Sequence, residues 1–253
     1  MLRIHPLSRV LIIVKPLSES GEKQARALGR SDILAKETFW RKYTSDLGRA
    51  RRTTVLILGE ERSLEEHEVR LEPLLRELAK GVREGLPKSM TYEEAQVAFR
   101  KEHGPTEPFP PLETEEDAMA RVYKWLFQVV RDAIQEARLE CSALSSDEGA
   151  KRPQQVFSVF AVSHSGTLRA TIARLVRDQL PASIDLTPVG RDGAKKGHMI
   201  VPNTSVTIVD IIPDNVEDEI WDLERESQIP TNPSFLWKAK LKTLTHTKHY
   251  QDV

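Results

Sequence analysis

The stretch Val156–Val162 (VFSVFAV), followed by Ser163-His164-Ser165-Gly166-Thr167 and a helical pattern over Gly166–Leu180 that Pro181 closes, decides the fold. The first seven residues are short, continuous and rich in β-branched and aromatic side chains, as in a strand buried on both faces. Small polar residues then precede a helix. A strand, a tight turn and a helix in that order define the α/β layered folds, in which ligands bind just beyond the carboxyl ends of strands. Small residues there let backbone approach a ligand, and the helix N-terminus favours an anion. His164 is therefore placed to meet a phosphate or carboxylate, although a lone histidine is also a common satisfied core residue.

The rest of the chain extends this pattern. Arg9–Val14 (RVLIIV) reads as a buried strand, and Ser18–Leu28 as a helix with Ser18 as its cap. Residues 40–58 are ambiguous. Thr53–Leu58 has the composition of a strand, yet Ser45-Asp46 resembles a helix cap. Residues 62–84 place Leu64, Leu71, Leu74, Leu75 and Leu78 at broadly helical spacing. Gly104–Leu112, with four prolines, reads as a loop. Thr114 opens the clearest helix, in which Met119, Val122, Leu126, Val130, Ala133 and Ala137 form an apolar face. Ser142–Gln155 reads as a loop, Ser205–Ile211 as a third strand, and acidic Asp210–Glu226 as a solvated face or edge. The expected fold is a three-layer α/β/α sandwich with a mostly parallel sheet.

Composition narrows the function. The 253 residues carry 37 Lys+Arg against 38 Asp+Glu, a net charge of −1, which disfavours a protein built around nucleic acid or anionic membrane. Charged residues make up 30% and hydrophobic ones 39%, enough for a core in a chain this long. Cys141 stands alone, which excludes an internal disulfide and a cysteine-built zinc site and suits a reducing compartment. No apolar run reaches the roughly 20 residues of a membrane helix. A cytoplasmic location is expected. Residues 1–18 lack Asp and Glu and carry Arg3, Arg9 and Lys15, which also fits a short organelle-targeting segment. The sequon Asn203-Thr204-Ser205 is read as chance.

Two further segments have chemical potential. Arg41, Lys42, Arg49, Arg51 and Arg52 form the strongest local basic cluster. An arginine in a pocket grips phosphate with paired hydrogen bonds, while on charge alone the cluster is a solvated helix face. Glu77, in Leu75-Arg76-Glu77, is either a surface carboxylate or an acid able to protonate a leaving oxygen. The turn around Ser165 is not a serine-hydrolase elbow, because Ser163 and Thr167 stand where glycines are needed. Gly190–Gly197 is not a phosphate-binding P-loop, since it ends in Gly-His.

Taken together, four segments resemble the histidine phosphatase superfamily, the phosphoglycerate mutase-like enzymes, in the family's order. Pro16–Ala25 (PLSESGEKQA) is similar to its P-L-T-x-x-G-x-x-Q-A segment, and Thr44–Thr53 (TSDLGRARRT) to its S-x-L-x-R-A-x-x-T segment. Leu75–Gly85 resembles L-R-E…G…E-G, and Ser163–Arg169 (SHSGTLR) resembles S-H-G-G-x-x-R. The helix with Arg121-Val122 is in keeping. The resemblance makes residues 47–58 helical. It implies one domain over 1–253, with a cap-like insertion at about 60–113 and a C-terminal extension at about 212–253.

By the same resemblance, Arg49 holds the phosphoryl oxygens, His164 hydrogen-bonds the phosphoryl group, and Glu77 is the general acid. No metal and no cofactor are implied. The partner is a phosphorylated small molecule or phosphoprotein, with neither nucleic acid nor membrane. The chain departs from the family at its nucleophile. An Arg-His-Gly motif should follow the first strand, but Val14 runs straight into Lys15-Pro16-Leu17, and His5 has no Arg before it or Gly after it. A lost short exon, a natural inactive relative that binds phospho-ligands, and hydrolysis through water each account for this. The expectation is a phosphatase- or phosphomutase-like protein with weak or no turnover, or a non-catalytic phospho-ligand-binding protein on the same fold.

Overall fold

The computed structural model describes residues 7–14, 17–35, 37–87, 89–143, 156–175, 206–214, 216, 219–222 and 236–246. His5, most of the Ser142–Gln155 loop, the Gly190–Gly197 stretch and the sequon lie outside the described residues. Six strands form one sheet, in the order β3-β2-β4-β1-β5-β6. They are β1 (Leu7–Val14), β2 (Arg41–Thr44), β3 (Val69–Leu71), β4 (Val159–Ser163), β5 (Val206–Pro213) and β6 (Trp237–His246). The β3/β2, β2/β4 and β4/β1 pairs are parallel, while β1/β5 and β5/β6 are antiparallel. The sheet is mostly parallel, as expected, with two antiparallel strands at one edge.

All five residues of β4 are buried, which is why that segment reads as a continuous apolar run. Its side chains alternate between the two faces of the sheet. Phe160 and Val162 pack with Ala25, Leu28, Ala50, Leu56 and Ile57. Val159 and Ala161 pack with Val122, Leu126, Leu168 and Ile172. Helices α1 (Glu19–Gly29) and α3 (Gly48–Leu58) therefore cover one face, and α5 (Glu115–Ala143) and α6 (Ser165–Leu175) the other.

Local chemistry sets the helix starts. The Ser18 hydroxyl accepts from the Gly21 N–H at 3.2 Å to cap α1. Thr114 and Asp117 cap α5 reciprocally, each side chain accepting from the other's backbone N–H. Along α5, Val122, Leu126, Val130, Ala133 and Ala137 face the core, and Met119 is only partly buried. Phe127 stacks on Trp221 at 5.3 Å.

One ambiguity closes and two expectations change. Thr53–Leu58 is helix, as the resemblance implies and against its strand-like composition. The hydroxyls of Thr53 and Thr54 bond back to the carbonyls of Arg49 and Ala50, both at 2.9 Å, so these buried β-branched residues are satisfied within α3. Residues 62–84 are not one helix. They hold β3 and 3-10 turns at Pro73–Leu75 and Gly81–Arg83, and Glu68 and Gly81 adopt φ of 55° and 57°, which no α-helix contains. The acidic stretch from Asp210 is not simply a solvated edge, because Asp210 lies in interior strand β5 and is 9% exposed. Its carboxylate is 3.1 Å from Lys242 on β6.

Two short helices, α2 (Asp32–Ala35) and α4 (Tyr92–His103), complete the fold. α4 is capped by Thr91 and Glu94. Close approach of α1 to α3 depends on Gly29, where a Cβ would lie 2.3 Å from the Ile57 carbonyl oxygen. Backbone must move to admit a methyl. Gly29→Ala is expected to lower stability by about 1–3 kcal/mol, read as a lower urea midpoint with an unchanged slope. An unaltered midpoint would show that the two helices separate freely.

Candidate functional site

The site forms where β4 and β2 end and α6 begins. The His164 carbonyl accepts from the Leu168 N–H at 2.9 Å, so His164 occupies the N-cap position of α6. Its side chain is fully buried. The parallel register carries Thr44 of β2 beside Val162, and Ser45 follows directly. The Arg49 Nε donates to His164 Nδ1 at 3.1 Å, and His164 Nε2 lies 2.9 Å from the Ser45 hydroxyl.

These contacts settle the ring's protonation. Arginine has only donors, so Nδ1 must be an unprotonated acceptor. The neutral ring then carries its hydrogen on Nε2 and donates it to Ser45. Burial is the main force holding the ring neutral, and the nearby Arg49 and Arg121 cations add to it while Asp46 opposes. The pKa falls from 6.5 to about 3.

Glu77 reaches the same place from the segment between β3 and α5. Its Oε1 accepts from the N–H groups of Gly166 at 3.1 Å, Thr167 at 3.4 Å and Leu78 at 3.2 Å. The carboxylate thus sits on the positive end of α6. Its other oxygen, Oε2, is 4.0 Å from Arg49 Nη2. Gly166 leaves room for this carboxylate: a Cβ there would come within 2.7 Å of Glu77 Oε1 and push it aside. A strap of hydrogen bonds fixes this segment. Ser163 Oγ donates to the Leu75 carbonyl at 2.8 Å, and Thr167 Oγ1 donates to that of Arg76 at 2.7 Å. Arg121 donates to the Leu74 carbonyl and grips Glu113. Arg76 pairs with Asp46 through two nitrogens, and that ion pair holds the Asp46 carboxyl below its usual range.

All three site residues proposed from the sequence, His164, Arg49 and Glu77, therefore meet in one place. Sequence reasoning missed Ser45, Thr167, Asp46 and the strap. Ser45 and Asp46 lie inside the quoted Thr44–Thr53 segment, but nothing in spacing reveals a contact 119 residues apart. The basic cluster does not act as one surface. Arg41 pairs with Asp132, Arg52 pairs with Glu22 and Glu60, Arg49 turns into the pocket, and Arg51 is exposed. Among the described residues, no group of three or more His, Cys, Asp or Glu is arranged to hold a metal ion, and no helix is long and apolar enough to cross a membrane.

Residues 15–221 match the model of the histidine phosphatase superfamily, branch 1. The chain belongs to that family. Among its relatives is the fructose-2,6-bisphosphatase TIGAR B of Danio rerio, 32% identical over 186 residues that cover 69% of this chain and 71% of the relative. The fructose-2,6-bisphosphatase TIGAR of Xenopus tropicalis is 31% identical over 192 residues, covering 66% of this chain and 68% of that one. Among solved structures, one titled mycobacterial hydrolase 1 has a TM-score of 0.55 at 21% identity, covering 96% of this chain and 99% of that one. A mycobacterial glucosyl-3-phosphoglycerate phosphatase has a TM-score of 0.51 at 18% identity, covering 95% and 99%. These two likenesses establish a shared fold. The family match begins at residue 15, one position past the end of β1.

The depressed pKa of His164 has a measurable consequence. Unfolded, the ring protonates near 6.5; folded, only near 3. Between these values the unfolded chain binds the extra proton, so this contribution to stability is complete above pH 6.5 and is lost as pH falls toward 3. The slope reaches about 1.4 kcal/mol per pH unit. His164→Gln is expected to flatten it in urea melts across that window; parallel slopes for the two proteins would contradict a buried neutral ring.

Proposed function

We propose that this protein recognises a phosphomonoester, with the phosphoryl group seated between Arg49 and the N-terminal turn of α6. The observation that carries this reading is the convergence of Arg49, His164 and Glu77 at the end of β4, 4.0 Å separating the arginine from the carboxylate. Arg49 neutralises phosphoryl oxygens, and its planar guanidinium suits two of them at once. Glu77, beside it, is placed to give a proton to the oxygen that leaves phosphorus. For His164 Nδ1 to bond a phosphoryl oxygen, Arg49 must withdraw and either that nitrogen or the phosphoryl oxygen must carry a hydrogen. The segment at about 60–113 supplies Glu77 and lies over the site as a cap within a single domain.

Hydrolysis by the family's covalent route needs a histidine to attack phosphorus, and the sequence contains no Arg-His-Gly. The chain as given is therefore proposed to bind phospho-ligands with turnover absent or very low. The names of the two curated relatives support a sugar phosphate as the ligand class. A phosphoprotein is the alternative partner.

Inorganic phosphate and fructose 2,6-bisphosphate are the probes. At a hundred times the dissociation constant, a ligand adds about 2.7 kcal/mol to stability, a rise of roughly 5–10 °C in Tm for a chain of this size. Arg49→Ala is expected to remove the rise. No shift in saturating phosphate would defeat the reading. Turnover of p-nitrophenyl phosphate is expected at background, and rates typical of a working phosphatase would refute the proposed inactivity. Sequencing native transcripts across the Val14–Lys15 codons separates a lost exon from a natural junction.

A further inference from the structure

We propose that Ser45 is a positioning residue that aims the phosphate-gripping arginine through His164. This rests on the phosphate-pocket reading above. Ser45 is fully buried, and its hydroxyl oxygen is the acceptor for His164 Nε2–H at 2.9 Å. The Leu47 N–H lies 3.4 Å from the same oxygen and ties the hydroxyl to the turn that opens α3. Because the ring's hydrogen is committed to Nε2, its Nδ1 lone pair is available for Arg49 Nε. With that nitrogen fixed, the planar guanidinium has one orientation, and its Nη2 faces Glu77 across the site. Ser45, His164 and Arg49 therefore form a relay. The donor-only arginine fixes the tautomer, the Ser45 hydroxyl anchors the ring to the β2–α3 turn, and the anchored ring aligns the arginine.

The alternative tautomer breaks the relay. A hydrogen on Nδ1 would point at an Arg49 N–H, two donors facing each other with no acceptor between them. Among the described residues, the charged groups facing the ring are Arg49 from α3, Arg121 from α5 and Asp46 from the β2–α3 turn. None of them is an acceptor for the Nε2 hydrogen in place of Ser45. Asp46 is engaged by Arg76. The serine is thus the only described group bonded to that nitrogen.

The test has two parts. In nitrogen-15 NMR of the full chain, His164 is expected wholly as the Nε2–H tautomer; an Nδ1–H signature in the unaltered protein would overturn the proposal with no variant needed. In Ser45→Ala, the ring is expected to lose its anchor, read as displaced His164 nitrogen-15 signals, and the dissociation constant for inorganic phosphate to rise at least about tenfold, which corresponds to ~1.4 kcal/mol. Ser45→Thr, which keeps the hydroxyl, is expected to restore both. A folded Ser45→Ala protein with unchanged His164 signals and phosphate affinity would also overturn it. If the unaltered protein binds no phosphate at all, the pocket reading fails, while the His164 signals of Ser45→Ala still decide whether Ser45 anchors the ring.

Discussion

A buried, neutral imidazole with both nitrogens committed is the constraint around which this site is organised. His164 is neutral at physiological pH where it sits, because burial and two arginines oppose a proton more than Asp46 favours one. It also cannot be left unpaired, since a buried N–H without an acceptor costs about 1–3 kcal/mol. The fold meets both demands by bringing two elements to the end of β4. The β2–α3 turn supplies Ser45 as acceptor, and α3 supplies Arg49 as donor. Those partners hold only if β2 and β4 keep their register, so the parallel pairing of Thr44 with Val162 is a condition of the chemistry as well as of the sheet.

Charge balance follows from the same arrangement. Arg49 faces a neutral ring on one side and Glu77 on the other. The carboxylate is held by N–H groups at the start of α6, where the helix dipole favours it. The strap through Arg121, Glu113, Ser163 and Thr167 then fixes Glu77 from behind, using backbone carbonyls of residues 74–76. Glu77 is placed by the chain that carries it more than by its own rotamer. On the proposed reading, an incoming phosphoryl group meets this carboxylate and in part displaces it, so two anions contest one cationic corner.

Much of this was legible in the sequence. Continuous apolar runs announced β1, β4 and β5, because each is an interior strand of the sheet. The Thr114 cap and the spacing of Val122, Leu126 and Val130 announced α5. His164, Arg49 and Glu77 were found because their neighbours carry family patterns. Strand β2 was not found: Arg41-Lys42-Tyr43-Thr44 is four residues long, and its burial comes only from pairing with β3 and β4. The segment at 62–84 misled because its leucines keep helical spacing by accident, while Pro73 and the positive φ values of Glu68 and Gly81 break any helix. Ser45 was invisible as a functional residue because its role is a contact to a distant histidine, and no local pattern encodes it.

The register of β1 bears on the departure from the family. β1 runs parallel to β4 with Val14 opposite Ser163, the residue just before His164. The end of β1 thus lies on the strand beside the one that leads directly into His164. The frame that would receive the family's nucleophile is intact on every described side: His164 is oriented, Arg49 is aimed, and Glu77 is strapped to α6. None of these contacts needs the missing motif, since each is closed by Ser45, Arg121, Ser163 or Thr167. On the proposed reading, the pocket's geometry and its power to catalyse are therefore separable: without an Arg-His-Gly motif the covalent route is closed, while the frame that would hold a phosphate remains.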